Sequence, residues 1–491
     1  MAERKAWTKP TRRAAAQKGV RTRQARAAII EQARTDRNTQ WALLFPFAAW
    51  LEDSIKLKER VAQTLRLSQG ANRTFRVPEG VAGLVLAWEA GIVHYHHLNQ
   101  LVPEVARAQA IGLPHFFGPT PATDRVKSAQ PRHLKQMGRR LRAIGLAPLA
   151  TDADDRIDIW VDTTGHPSDS RQGEPVAVGY GNGRREPGLK SGRVGVNGRP
   201  VFAPVYPGNI NPDEPFRQGL ARARRLCPRY PERIIHLGAD TGFASEAHMR
   251  DLHRWAHHYG HFRFTLTVQV SHPNRFPFQT VQWAKRQDPR RWKPVNTPSR
   301  VLEAGRRPRY STRRTRTRIL VVESKNPAPP AAAPPPRKRR RKKNPQKPRA
   351  AERYYLIATH YTQRQHKGQA LFHRHHQRPV VEFSIKDAKP SYRIQHLPHR
   401  KFLANALFLL LVTLAQLLGI LYNQKGMPAA AAGRLVATLR ADLWRLPGRR
   451  IGPRQIVLHW VYYRLEWIRA VCVAIQRHLG FSIVMAEVDS S

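Results

Sequence analysis

The feature that most constrains this fold is FLANALFLLLVTLAQLLGILY at 402–422, a stretch with no charged residue. Such a run is long enough to span a bilayer or to form the central helix of a protein core. The polar side chains of this run, together with Asn423 directly after it, fall within about 80° of arc on a helical wheel. They are Asn405, Thr413, Gln416 and Asn423. A polar stripe favours a helix buried in protein, with one edge near a polar site, over a membrane span. We therefore expect no membrane as a partner.

The charge of the chain indicates its partner. The sequence has 85 Lys and Arg against 34 Asp and Glu, a formal net charge of +51. This excess is far beyond what solubility requires and is spread along the whole chain, so nucleic acid is favoured over an anionic membrane. The two cysteines, Cys227 and Cys472, are too few for a disulfide scaffold or a cysteine-based zinc site. A reducing cytoplasm fits this cysteine content.

Composition and periodicity divide the chain into six segments. These are a basic N-terminal arm (1–59), a helical DNA-binding domain (60–150), the first part of an α/β core (151–270), an insertion with a Pro/Arg-rich linker (271–352), the second part of the core (353–425) and a C-terminal region (426–491). The order of strands and helices after residue 156 predicts a mixed α/β layer structure. Within it, GRVGVNGRPVFAPVY predicts a hairpin with Asn197–Gly198 at its turn. In the helical domain, RHLKQMGRRLRAIG leaves Arg139 and Arg140 off its apolar face, for solvent or for phosphate.

Two apolar strands each end in an aspartate. RIDIWVDTT contains Asp162, and RIIHLGAD ends in Asp240. The carboxyl end of the strands is the usual place for a site in an open α/β sheet, although an aspartate after a strand is more often a turn or cap residue. Carboxylates in a basic chain suit Mg²⁺, which takes oxygen ligands and bridges to phosphate. Asp158 lies on the same strand face as Asp162 and is the alternative for the first ligand position.

The segment HHQRPVVEFSIKDAK, at 375–389, sets one acidic side chain among cations. On a helix, residues separated by three or four positions share a face. This face comprises Arg378, Glu382, Lys386 and Lys389. The alternative interpretation is a solvated surface helix in which Glu382 pairs with a lysine of its own helix.

Together these residues resemble the RNase H-like DDE transposases of bacterial insertion sequences. The resemblance is to the subgroup with a Tyr-x2-Arg-x3-Glu-x6-Lys signature, whose spacings are matched by Arg378, Glu382 and Lys389. The stretches VDTTG and GADTGFAS around the two aspartates match as well, and KFLANALFLLL resembles the helix that follows the signature. The sequence departs from the signature at His375, where the family has Tyr.

The resemblance implies an RNase H-like mixed sheet flanked by helices, with an inserted β-rich subdomain and an all-α N-terminal DNA-binding domain. It implies that Asp162, Asp240 and Glu382 are catalytic and hold two Mg²⁺ or Mn²⁺ ions. Two metals about 3.5–4 Å apart can activate an attacking oxygen and stabilise the leaving one at phosphorus. We expect phosphate contacts from the remaining site residues, which are Arg378, Lys389, His375, Lys386, Arg139 and Arg140.

The implied activity is cleavage at the ends of an insertion sequence and transfer of the freed 3′-hydroxyl to target DNA. The implied partners are double-stranded DNA, as inverted-repeat ends and target, and a second copy of the chain on paired ends. The implied location is the nucleoid of a bacterial cytoplasm. The alternative function is a catalytically silent DNA-binding protein derived from a transposase, although the intact carboxylate set argues against it. A third class, a basic membrane protein, follows only if 402–422 spans a bilayer.

Two further sets of residues have two interpretations each. Trp283 and Trp292 lie among basic residues of the insertion, where they either pack in the core or stack on an unpaired base. The histidines at 94–97 and at 257–261 have no cysteine or carboxylate partners at zinc spacings, so solvated or DNA-facing histidines are favoured over a zinc site.

Overall fold

The computed structural model describes most of the chain outside residues 1–37 and 326–351. The described residues are 38–39, 41–67, 75–102, 104, 108–109, 111–113, 115–167, 177–181, 184–210, 213–268, 270, 276–296, 299–307, 317–325, 352–376, 387–394, 397–428, 436–459 and 465–485. Three of the predicted site residues, Arg378, Glu382 and Lys386, lie outside these ranges.

Strands of the described chain form two sheets. In chain order the strands are β1 (Asn38–Thr39), β2 (Arg156–Pro167), β3 (Ala177–Gly181), β4 (Arg184–Val196), β5 (Arg199–Phe202), β6 (Val205–Pro207), β7 (Ile234–Ala239), β8 (Phe262–Val268), β9 (Lys293–Asn296), β10 (Ser299–Arg307), β11 (Thr317–Lys325), β12 (Glu352–Thr359), β13 (Gly448–Gly452), β14 (Gln455–Leu458) and β15 (Ser482–Met485). The large sheet has the order β3-β4-β2-β7-β8-β12-β11-β10-β9, and β5 and β6 pair with β4. The small sheet has the order β1-β13-β14-β15.

The large sheet is mixed, as the sequence predicts. Its central strands β2, β7 and β8 are parallel, and the strands on either side of them are antiparallel. The predicted hairpin at Asn197–Gly198 is confirmed, because Val196 pairs with Arg199 and both turn residues have positive φ. Asn-Gly is the pair that such a two-residue turn favours. The strands β9, β10 and β11 of the insertion continue this same sheet beyond β12.

Helices cover the two faces of the sheet and build the N-terminal region. They are α1 (Leu44–Asp53), α2 (Leu57–Ala62), α3 (Val77–Glu89), α4 (Pro119–Lys127), α5 (Pro131–Leu146), α6 (Asp213–Leu226), α7 (Glu246–His258), α8 (Phe276–Lys285), α9 (Gly368–His376), α10 (387–392), α11 (Phe402–Gly426), α12 (Val436–Leu439) and α13 (Leu465–Leu479). Short 3-10 turns lie at Tyr95–Leu101, Ala147–Ala150, Thr241–Phe243 and Pro289–Arg291, and a π-helical turn lies at Arg440–Trp444.

The apolar run is a buried helix, which confirms the prediction for its stretch of the chain. α11 is long and apolar enough to cross a membrane, but 89% of its most apolar window is buried inside the protein. It shares one hydrophobic cluster with α1, α3, α5 and α13. Its polar stripe also has the predicted role, since Gln416 accepts a hydrogen bond of 2.6 Å from the buried guanidinium of Arg193 in the sheet.

A second hydrophobic cluster lies between the sheet and α6 and α7. The alternating residues Ile157, Ile159 and Val161 of β2 point into it. Gly219 of α6 sits directly on Val161, where a Cβ would clash with the valine side chain. This close contact places α6 on the Val161 face of the sheet, and so the side chain of Asp162 points to the opposite face.

Candidate active site

The two predicted aspartates lie where the parallel pairing of β2 and β7 ends. The expectation that the first strand ends at Asp162 is wrong, because β2 continues to Pro167 through its antiparallel pairing with β4. β2 and β7 pair in a register that sets Val161 beside Ala239, so the next residues along the two strands are Asp162 and Asp240. Neighbouring strands are about 4.8 Å apart, which brings the two residues side by side. Both side chains are half-buried, and Asp162 Oδ1 accepts a 2.7 Å hydrogen bond from the backbone N–H of Thr163. The structure therefore brings together two of the three predicted carboxylates.

A buried arginine that the sequence reasoning missed lies opposite Asp162. Arg193 of β4 is the cross-strand partner of Asp162 and is 2% exposed. Burial lowers the pKa of Arg193 to about 10, and the neighbouring acidic groups of Tyr392, Asp387 and Asp162 act in the other direction. A charged residue among the small and apolar residues of GRVGV was the only signal for it in the sequence. Arg193 is a cation held in place beside the aspartates by the Gln416 bond.

The alternative ligand Asp158 has a different environment at the other end of the strand. Its Oδ2 accepts hydrogen bonds of 2.7 Å from Nε and Nη2 of Arg156, and its Oδ1 lies 2.8 Å from Nδ1 of the fully buried His236. Burial alone would raise the pKa of Asp158, but His236 and Arg156 outweigh burial and hold that pKa below its ordinary value. The Asp158 carboxylate is thus occupied by side chains of the protein.

The C-terminal end of α9 packs on the sheet face that carries Asp162. His375, the last predicted site residue before Arg378, is 2% exposed, and its Nε2 lies 2.8 Å from Oγ1 of Thr267 in β8. The ring of His375 also lies 6.4 Å from that of Trp160, which shares the face of Asp162. A contact of His375 with phosphate remains a prediction.

The chain returns to the same face after Glu382. The carbonyl oxygen of Ile394 lies 2.8 Å from Nδ1 of His166, and Nε2 of His166 lies 2.7 Å from Ser191 Oγ. His166 is on β2, four residues beyond Asp162, and so points to the same side. Burial lowers its pKa to about 4, so the ring is neutral and donates from Nδ1 to the Ile394 carbonyl. Described residues on both sides of Glu382 therefore contact the face that carries Asp162.

The short helix α10 holds Lys389 between these contacts. Its side chain is half-buried, whereas Asp387 is buried and accepts a 2.7 Å hydrogen bond from Ser391 Oγ. The positive charge of Lys389 reaches His166, since it lowers the pKa of that histidine. Lys389 thus lies near the strand that carries Asp162, and its contact with phosphate remains a prediction.

A buried network fixes α10 to distant parts of the chain, and the sequence reasoning missed it. The guanidinium of Arg440 donates to the carbonyl oxygens of Trp88 and Glu89, which end α3, and to that of Ser391 in α10. The hydroxyl of Tyr392 donates to Glu89 Oε1 at 2.5 Å. One arginine therefore caps two helices, which satisfies carbonyl groups that a helix end leaves without partners.

The two DNA-contact candidates of α5 differ from each other. Arg139 is exposed, whereas Arg140 donates to Thr64 Oγ1 at 3.1 Å and to Gln63 Oε1 at 3.2 Å. Of the two tryptophans, Trp292 is buried under the guanidinium of Arg300, 4.9 Å from its ring centroid, and Trp283 packs against the sheet cluster. The described positions of both tryptophans are those of packing residues.

Comparison with known proteins decides the family. Residues 154–418, more than half of the chain, match the family model of the transposase DDE domain. The chain belongs to this family. No curated protein matches the sequence. Among solved structures, the chain is similar to the cryo-EM structure of the piggyBac transposase synaptic complex with hairpin DNA. The two chains are 14% identical, with a TM-score of 0.40, over 84% of this chain and 81% of the other.

DDE transposases generally use divalent metals, and ions such as Mg²⁺ require oxygen ligands. Asp162 and Asp240 offer adjacent carboxylate oxygens, the ligand type that Mg²⁺ and Mn²⁺ prefer. Within the described ranges, no group of three His, Cys, Asp or Glu side chains is placed to hold a metal ion. Glu382, the predicted third ligand, lies outside those ranges. The two aspartates fit a divalent metal as part of a ligand set.

Proposed function

We propose that this DDE-family protein is the transposase of a bacterial insertion sequence, of the subgroup with the Tyr-x2-Arg-x3-Glu-x6-Lys signature. It cleaves DNA at the ends of the insertion sequence and transfers the freed 3′-hydroxyl to target DNA. The observation that carries the proposal is the register of β2 and β7, which sets Asp162 beside Asp240 where the parallel pairing of the two strands ends. The described contacts before and after Glu382 support its place as the third carboxylate.

Under this proposal Asp162, Asp240 and Glu382 hold two Mg²⁺ or Mn²⁺ ions, which supply Lewis-acid assistance at phosphorus when bound. The chain's own contribution is positioning. Arg193 is fixed by Gln416 and by burial, so its charge stays beside Asp162 and favours the ionised carboxylate that a metal requires.

The cations around the site bind the DNA backbone. Arg378 grips a phosphate through its planar fork, and Lys389 and Lys386 act as point charges. His375 stands at the tyrosine position of the signature, and Arg139 and Arg140 on α5 contact DNA farther away. The DNA partners are the inverted-repeat ends and the target DNA, and a homodimer binds them in the bacterial cytoplasm.

The experiment supplies the full chain with a duplex that carries the inverted repeats flanking its gene, together with a labelled target duplex. With Mg²⁺ we expect nicks at the ends of the repeats and products joined to the target, and with EDTA we expect binding but neither product. Sequence-specific binding without a nick in Mg²⁺ or Mn²⁺ would instead identify a catalytically silent DNA-binding protein.

A further inference from the structure

Four arginines from two helices form a cluster beside the edge strand β5 of the large sheet. We name this set the arginine patch; it comprises Arg139 and Arg142 of α5 and Arg222 and Arg225 of α6. Residues three apart share a helix face, so each helix contributes one pair. Both helices adjoin β5, since α5 contacts this strand and the Arg222 guanidinium lies 4.6 Å from the ring centroid of Phe202. Arg139 and Arg225 are exposed, and Arg142 and Arg222 are half-buried beneath them.

The charges of Arg142 and Arg222 are affected by other arginines and by Tyr206. Burial lowers the pKa of Arg142, and the charges of Arg225 and Arg139 lower it further. Burial likewise lowers the pKa of Arg222 to about 10, and Arg142 and Arg225 add to that shift. Throughout the described chain, no ion pair joins any of the four to a carboxylate. The fold therefore holds four like charges together without a counter-charge.

The α6 half of the patch and the two aspartates lie on opposite sides of the sheet. α6 packs on the Val161 face, through Gly219, and Asp162 points to the other face. Arg222 also lies on the α6 side, because it covers Phe202, the cross-strand partner of Val194 in the cluster under α6. A helix and the sheet on which it packs are about 10 Å apart, so the sheet separates Arg222 and Arg225 from a phosphate at Asp162 and Asp240.

We propose that the arginine patch binds the phosphate backbone of a second duplex segment, distinct from the segment at the two aspartates. That another DNA segment lies at the two aspartates rests on the proposed function. Four clustered guanidiniums suit phosphate, since each offers a planar fork to its oxygens. The ring of Phe202 is covered by Arg222 and is therefore not open for stacking by a base of a single strand.

The same surface does not suit a membrane. A basic helix that binds lipid needs exposed apolar side chains beside its cations. The exposed large hydrophobic residues of the described chain are Ile451, Val473 and Val484, which all lie in the C-terminal region. Duplex backbone is the polyanion that requires charge alone.

The first test measures the salt dependence of affinity for a random-sequence duplex. The triple variant Arg142→Gln, Arg222→Gln and Arg225→Gln is compared with a control triple, Lys425→Gln, Arg469→Gln and Arg477→Gln, which removes the same charge from exposed positions on α11 and α13. Each lost phosphate contact reduces the slope of log K against log salt by about 0.9. We expect a reduction of about 2 to 3 for the patch triple and less than about 1 for the control. Equal reductions would show that only net charge matters and would overturn the proposal.

A folding control accompanies this test. Removal of mutually repelling charges should leave the melting temperature of the patch triple equal to or above that of wild type. If the triple variant unfolds, the single variants Arg225→Gln and Arg477→Gln, both at exposed positions, decide the comparison. A patch variant that keeps duplex affinity but loses binding to single strands or to phosphatidylglycerol vesicles would also overturn the proposal.

The second test maps the DNA segment at each surface. Arg225→Cys and Lys389→Cys each carry a photo-cross-linker, and the native Cys227 and Cys472 are buried, so labelling is selective. We expect the adducts from position 225 to fall on a different segment from those of position 389. Adducts on the same nucleotides would overturn the proposal. Adducts from position 225 alone would uphold the patch while contradicting the proposed site at Lys389.

Discussion

Asp158 and Asp162 lie four residues apart on the same face of β2, yet they have opposite surroundings. Asp158 is held by Arg156 and by the buried His236, which complete its hydrogen bonds. Asp162 lies instead beside Asp240, where a second carboxylate is set close to the first. A neutralised carboxylate stabilises a fold, whereas two adjacent carboxylates cost stability unless a cation joins them. The comparison assigns Asp158 to structure and Asp162 to chemistry.

The largest expected effect is the loss of cleavage on removal of either member of the adjacent pair. Asp162→Asn and Asp240→Asn should each reduce strand cleavage in Mg²⁺ by at least about a thousandfold, or about 4 kcal/mol of transition-state stabilisation. DNA affinity should change less than about twofold, because neither carboxylate attracts phosphate. The measurement is cleavage of an end-containing duplex under single-turnover conditions. Asp158→Asn is the matched control and should cleave within about tenfold of wild type; the reverse pattern would exchange the two assignments.

The next effect concerns stability and should fall on the other aspartate. Asp158→Ala leaves His236 and Arg156 without their partner and should lower the free energy of unfolding by about 2–4 kcal/mol. Asp162→Ala should lower it by less, because Arg193 keeps its hydrogen bond to Gln416 when the carboxylate is removed. Urea denaturation of both variants checks this difference. A larger loss for Asp162→Ala would show that this residue too is structural.

A smaller effect is expected for the cations near the site. Lys389→Ala and Arg378→Ala each remove a charge-assisted contact to phosphate, worth about 1.5–3 kcal/mol. Cleavage should fall about ten- to a hundredfold, with metal binding retained. Arg378→Lys should recover part of the loss, because the charge is kept and the bidentate fork is not. Wild-type cleavage by both alanine variants would return 375–389 to the interpretation of a solvated helix.

The smallest effect is expected for a third carboxylate, Glu89, which unlike the two aspartates is fully buried. Burial raises its pKa to about 7, while Arg440 and the hydroxyl of Tyr392 act in the opposite direction. A raised folded-state pKa gives stability that is present below the unfolded value of 4.5 and is lost as pH rises through about 7. Between pH 5 and 7, the ionisation of Glu89 should lower the free energy of unfolding by up to about 1.4 kcal/mol per pH unit.

The measurement is the free energy of unfolding against pH for wild type and Glu89→Gln, and the difference between the two curves isolates Glu89. Asp158 adds no slope in this range, because its folded-state pKa is lowered and its contribution is complete above its unfolded value of 3.8. Parallel curves for the two proteins would contradict the assignment to Glu89.

Local patterns accounted for the parts of the fold and site that the sequence predicted. The strands that lead to Asp162 and Asp240, the Asn197–Gly198 hairpin and the buried α11 all follow from periodicity or turn chemistry within a short stretch. Asp162 and Asp240 then meet because β2 and β7 are neighbouring parallel strands.

Such local patterns do not predict contacts between segments that are distant in the sequence. Arg193 faces Asp162 through a strand pairing whose register no local motif determines. Arg440 lies 351 positions from Glu89, whose carbonyl it caps. The arrangement of α5 and α6 that assembles the arginine patch also requires the tertiary fold. Each of these is a charged side chain whose partner, or like-charged neighbour, lies far away in the sequence.

The most direct test of the central claim locates the metal on the chain. Fe²⁺ occupies oxygen-ligand sites for divalent cations, and with ascorbate and peroxide it cuts the nearest backbone through hydroxyl radicals. We predict cuts close to residues 162 and 240 that are suppressed by excess Mg²⁺ and absent in Asp162→Asn. Cuts near Asp158 and His236 instead, unaffected by Asp162→Asn, would contradict the assignment of the metal site to Asp162 and Asp240.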